Sequence, residues 1–135
     1  MDAAFVRYQA TELSRRGNRV GIFGLANSLA AEGKLSGEDH EWLASANAWY
    51  NAAYPNPTAA DPNVYDRDLH PHAQAWFKST AVHLLARVPG YLALLTRYGV
   101  QWEEVRSAHP GTVIYEDDVQ VVVDPSTGTP SRPGI

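Results

Sequence analysis

The chain is 135 residues long, 44% hydrophobic and 19% charged, with a formal net charge of −4 and no cysteine. Those values fit one soluble domain that folds without disulfides or a structural metal, far from the low-hydrophobicity, high-charge composition of disordered segments. They exclude thiol catalysis and thiolate metal sites, and an acidic chain is not expected to bind nucleic acid, because phosphate neutralisation asks for a basic surface.

The opening MDAAFVRYQATEL holds acids and no long apolar run, so neither a signal peptide nor a membrane span is expected, and the expected location is the cytoplasm. Over residues 4–11, Ala4, Val6, Tyr8 and Ala10 alternate, which with the β-branched and aromatic content predicts a strand rather than a short helix. SRRGN reads as a turn. Residues 20–32 predict a helix with Ile22, Ala26, Leu29 and Ala30 on one face, ended by a left-handed Gly33. Ser36 followed by Asp39 approximates a capping box and opens a helix over 37–54. Its Trp42, Leu43, Ala46, Trp49, Tyr50 and Ala53 form an aromatic face that something must cover. PNPTAADPNVYDRDL, residues 55–69, has no periodicity and reads as a surface crossover or a functional loop.

The stretch from His70 to Tyr98 carries two faces at helical spacing. Phe77, Ala81, Leu84 and Val88 fall at i, i+4, i+7 and i+11, predicting a helix over 71–87 with Pro71 in its first turn. Val88-Pro89-Gly90 breaks it before a shorter helix that Gly99 stops. The second stripe, His72, Trp76, Ser79, Thr80, His83 and Arg87, mixes polar and aromatic groups that packing alone does not require. Residues 70–100 also hold Lys78, Arg87 and Arg97 with no acid, which reads either as a basic segment packed beside the acidic ones or as an anion site. VQWEEVRS predicts a strand with a bulge, and 112–116 with 119–124 predict a hairpin turning about Asp117-Asp118. A two-residue turn puts Val113, Tyr115, Gln120 and Val122 on one face and Ile114, Val119, Val121 and Val123 on the other. The expected fold is α+β, with three to four helices on one face of a small antiparallel sheet. Residues 1–125 form a single domain and 126–135 a flexible tail.

Asp66, Asp68, His70 and His72 offer four possible metal ligands within seven residues. On the expected helix, however, His83 lies about 16 Å along the axis from His72, so those two histidines do not share an ion. A capping role for the cluster is expected instead, and no metal or cofactor is assigned. GNRVGIFG lacks P-loop and dinucleotide spacing, and neither a nucleophile elbow nor a His-Glu-x-x-His motif occurs. General acid–base pairs of His72 or His83 with Asp66, Asp68 or Glu116 are conceivable, but no catalytic residue is singled out.

PGTVIYEDDVQVVVDP, over 110–125, resembles the hairpin of RluA-type RNA pseudouridine synthases. That resemblance implies a hairpin alone: Asp124 replaces the lysine expected before Pro125, these 135 residues leave no room for the catalytic domain, and the activity is not expected to carry over. The order GIFGLANSL, WLASANAW, HAQAWFK, PGTVIYEDDVQVV is similar to a family of small uncharacterised bacterial proteins, which implies no activity. The expected function is a cytoplasmic binding module that self-associates or docks on a protein partner through Val113, Tyr115, Gln120 and Val122. The alternative is a small enzyme or ligand-binding protein with a pocket between the 37–54 and 71–87 helices. That pocket would be closed by the loop 55–69 and take an anionic or aromatic ligand on His72, Trp76, His83, Trp49, Lys78 and Arg16.

Overall fold

The computed structural model describes residues 4–15, 17–54, 56–66 and 68–125. Strand β1 (Phe5–Ala10) is followed by helices α1 (Ile22–Ala31), α2 (Gly37–Ala53) and α3 (Pro57–Ala60), then strand β2 (Gln74–Lys78). Helices α4 (Val82–Leu85) and α5 (Val88–Arg97) precede strands β3 (Trp102–Ser107), β4 (Thr112–Glu116) and β5 (Gln120–Asp124). The protein is α+β, and its strands form one sheet ordered β3-β1-β2-β5-β4. Arg16 and the expected flexible tail 126–135 lie outside the described residues. The described chain clusters into two units, one from 4–7, 56–81 and 106–125, the other from 8–54 and 82–105.

In the first unit the expected helix over 71–87 is replaced by β2, a short helix α4 following only at Val82 in the second unit. β2 pairs antiparallel with β1, Val6 opposite Phe77, and with β5, Trp76 opposite Val121. Trp76 and Phe77 are neighbours on opposite faces of the strand, and both are buried. Burial on both faces is the mark of a central strand, and ladders on both edges override the unremarkable helix propensity of QAWFK. Phe77, Ala81, Leu84 and Val88 are all buried, so the spacing found interior positions but misassigned the backbone that carries them. Pro71 and His72 lie in a turn.

The loop 55–69 is a string of capped turns. Asn56 Oδ1 accepts the Thr58 amide at 3.1 Å, with Pro57 in the first turn of α3. Asp61 Oδ1 accepts the Asn63 amide at 3.0 Å, and Asp66 Oδ1 accepts those of Asp68 and Leu69 at 2.8 and 3.2 Å. Such side-chain caps let the chain turn repeatedly without a ladder, and Pro57 and Val64 are its buried anchors.

The hairpin closes through the Asp117 amide donating to the Gln120 carbonyl at 3.0 Å, so its central residues are Asp118 and Val119, one position later than expected. One carboxylate explains the shift. Asp117 accepts the amides of Val119 and Gln120 at 2.9 and 3.0 Å, the Tyr115 hydroxyl at 2.8 Å and the Gln120 side-chain amide at 2.9 Å. Burial alone would raise the Asp117 pKa, but these donors hold it below the usual carboxylate range. The hydrogen bond to Asp117, more than burial, pushes the Tyr115 hydroxyl up. Tyr115 pairs with Val122 and Val113 with Val123, with a bulge between Val113 and Tyr115. Adjacent residues on β5 face opposite ways, so the expected set of Val113, Tyr115, Gln120 and Val122 does not share one face. Gln120 and Val122 are also buried, at 1% and 0% exposure, which corrects the expectation of an open apolar sheet face; Val113 is the one exposed member.

In the second unit α1 ends as expected at Gly33, whose φ of 70° is left-handed, and α5 at Gly99 with φ 74°. Ser36 Oγ caps α2 by accepting the Asp39 amide at 3.1 Å. The reciprocal half of the capping box runs through a third residue. The Ser36 amide donates to the Tyr98 hydroxyl oxygen at 3.0 Å, and that hydroxyl donates to Asp39 Oδ2 at 2.7 Å. Arg97 completes the cluster with a 2.7 Å ion pair to Asp39 Oδ1. The Tyr98 hydroxyl first, and Arg97 after it, hold the Asp39 carboxyl below the usual range.

A depressed folded-state pKa stabilises the fold above the unfolded carboxylate value of about 3.9 and is lost as pH falls through the lower folded value. The stability difference between wild type and Asp39→Asn, measured by urea denaturation, should therefore be constant from pH 7 to pH 5 and shrink below pH 4. A difference that grows on acidification would contradict the cluster.

Candidate functional site

Within the second unit, α2 and the stretch running into α5 enclose a cleft of about 320 Å3 lined by Trp42, Ser45, Ala46, Tyr50, Ala86, Arg87, Gly90 and Tyr91. On α2 the lining residues recur at i, i+3, i+4 and i+8, one stripe of the helix, and on α5 Gly90 and Tyr91 occupy the first turn after Pro89. Its floor is aromatic. Tyr50 and Tyr91 are buried and meet edge to face, with centroids 5.6 Å apart, and Phe23 meets both at 4.8 and 4.9 Å. Trp42 extends the wall, 5.3 Å from Tyr91, and keeps 38% of its surface exposed.

Both tyrosine hydroxyls have donated their protons elsewhere. Tyr50 donates to the Leu84 carbonyl at 2.6 Å, and Tyr91 to Asn47 Oδ1 at 2.6 Å, while the Asn47 amide donates to Asn27 Oδ1 at 2.8 Å. Burial pushes the Tyr50 hydroxyl up to about 12 against the opposing charge of Arg87, and burial likewise pushes Tyr91 up. Neither phenol ionises near neutral pH.

Two local features set the mouth. A Cβ on Gly90 would lie 2.6 Å from the Trp42 ring, so the absent side chain is what lets the indole lie against α5. Gly90→Ala is expected to swing the half-exposed indole outward. The fold should lose little, since alanine regains up to about 1 kcal/mol of helix propensity. A shift of Trp42 fluorescence with near-wild-type stability is the expected result; an unchanged indole environment would contradict the contact. The Arg87 guanidinium sits 3.9 Å over the Trp49 ring, a cation–π contact that uses no acceptor. Among the described residues no oxygen accepts from that guanidinium, and no acid lines the cleft.

Of the expected ligand residues, Trp49 meets Arg87 beside the cleft. His83 is exposed on α4 in the second unit. His72, Trp76 and Lys78 belong to the first unit. There the Trp76 indole donates to Gln74 Oε1 at 3.3 Å, and Lys78 forms a 2.7 Å ion pair with Glu116. Arg16 lies outside the described residues. Asp66 caps its turn as expected, and among the described residues no three or more of histidine, aspartate or glutamate converge as a metal site. None of the eight residues lining the cleft is among the expected ligand residues. The aromatic stripe of α2 signalled Trp42, whereas Gly90 read only as a helix breaker. A second depression of about 370 Å3, lined by Ala10, Thr11, Glu12, Leu25, Gly99, Val100 and Gln101, has no ring and a single charge.

Compared with known proteins, the chain matches no family model, no curated protein and no solved structure. Among the described residues no helix is long and apolar enough to cross a membrane.

Proposed function

We propose that this chain is a ligand-binding protein whose cleft between α2 and the first turn of α5 takes a small, ring-sized apolar group. The observation that carries this reading is the lining itself: the part-exposed Trp42 indole over a floor of buried tyrosine rings, with Ser45, Ala46, Ala86 and Gly90 as small walls and Arg87 as the one charged residue. A volume of about 320 Å3 lies at the lower end of small-molecule sites, enough for one ring system. Binding is favoured over catalysis because the two titratable phenols in the cleft are shifted away from neutrality and already hydrogen-bonded, leaving no proton carrier poised near pH 7. Docking of a protein partner or second copy on the hairpin is the weaker reading, since Gln120 and Val122 are buried.

The test is an amide-resolved NMR titration with indole and with phenylacetate. Shifts should concentrate at residues 42–50 and 84–91, and Trp42→Ala should weaken binding about tenfold, the loss of 1–2 kcal/mol expected for one aromatic wall. Shifts centred on the hairpin, or an affinity indifferent to Trp42→Ala, would sink the cleft reading.

A further inference from the structure

Resting on that reading of the cleft, we infer that its ligand is an aromatic monocarboxylate, whose ring lies against the exposed part of Trp42 above the buried tyrosine rings and whose single carboxylate is taken by Arg87. Three observations converge on this chemistry. The only charged residue lining the cleft is Arg87, and no lining acid opposes it. That guanidinium rests on Trp49 and, among the described residues, donates to no oxygen, so its N–H fork has no competing protein acceptor. The two phenol protons in the recess are spent on Leu84 and Asn47, so the deep part of the site has no donor to offer a ligand. Polar recognition is thereby confined to one end of the ligand, and the other end must be apolar.

The count of positive charge selects within the anions. One guanidinium matches one carboxylate in a two-point contact, whereas a phosphate dianion asks for further donors or a second cation, and the lining supplies only the Ser45 hydroxyl besides. Trp49 acts as a positioning residue. It does not line the recess, but it supports the face of the guanidinium at the rim and limits the side-chain freedom that Arg87 would otherwise lose on binding.

The experiment compares phenylacetate, phenylacetamide, phenethylamine and phenyl phosphate on the full chain by NMR titration, in wild type, Arg87→Gln and Trp49→Leu. Phenylacetate should bind at least tenfold tighter than the isosteric amide in wild type. Arg87→Gln should erase that preference by bringing phenylacetate down to the affinity of the amide, and Trp49→Leu should reduce it. The Arg87 Nε–H resonance should move with phenylacetate and not with the amide. If acid and amide bind alike, or the amine or the phosphate binds tightest, the carboxylate inference falls while the cleft stands. If neither these four nor indole binds, both readings fall. Arg87 is exposed, so its replacement does not threaten the fold.

Discussion

Tyr91→Ala is expected to cost about 3–5 kcal/mol, the range for deleting a large buried aromatic side chain. Tyr91 is fully buried and touches Phe23, Trp42 and Tyr50 edge to face, so its removal takes one ring out of three contacts and leaves a cavity at the floor of the cleft. Against a typical total of about 5–15 kcal/mol, such a loss brings the chain close to unfolding. Tyr91→Phe separates the ring from the hydroxyl. It keeps the aromatic contacts and removes only the bond to Asn47, for an expected cost of about 1 kcal/mol, because Asn47 is partly exposed and water can replace the lost donor. Equilibrium urea denaturation of the two variants checks the ratio. A Tyr91→Ala cost near that of Tyr91→Phe would mean that the ring cluster contributes little.

The second large effect is expected at Asp117. Its carboxylate gathers two backbone amides, a phenol and the side-chain amide of Gln120, and Gln120 is 1% exposed. Asp117→Ala removes one hydrogen bond from that buried side-chain amide together with the acceptor of two part-buried turn amides and of the Tyr115 hydroxyl, and at about 0.5–1.5 kcal/mol each the sum should reach about 2–4 kcal/mol. Asp117→Asn keeps one acceptor oxygen and should cost less. Because the Asp117 pKa is depressed in the folded state, its contribution is present above the unfolded value of about 3.9 and disappears as pH falls through the folded one. Wild type and Asp117→Asn should converge in stability at acid pH. Convergence at alkaline pH instead would reverse the assignment.

Local signals were legible in the sequence wherever one residue carries one job. Ser36 caps α2, Gly33 and Gly99 end their helices, and the alternation before Ala10 is β1. What could not be read was any feature whose cause lies elsewhere in the chain. QAWFK is a strand because β1 and β5 flank it, and nothing in its own five residues announces those partners. The burial of Phe77, Ala81, Leu84 and Val88 imitates a helical stripe only because a strand, a turn and two helices happen to bury residues at that interval. The hairpin register failed for a smaller reason: a saturated Asp117 moved the turn by one position, and a bulge beside Ile114 then separated Val113 from Tyr115. The site followed the same division. Its aromatic wall was visible on α2 and Arg87 on the polar stripe, but the recess exists through packing between residues nearly fifty positions apart, at Trp42 and Gly90.

The contact between that glycine and that indole also leaves a readable trace for comparative work. Since any Cβ at position 90 competes for the volume the Trp42 ring occupies, the two positions form a linked pair: the ring in its present place at one is compatible with only a hydrogen at the other. Homologous chains that retain the recess should therefore pair glycine at 90 with an aromatic residue at 42, and those that have lost it should change both together. Inspecting two alignment columns would then sort chains that keep the recess from chains that have lost it before any of them is purified.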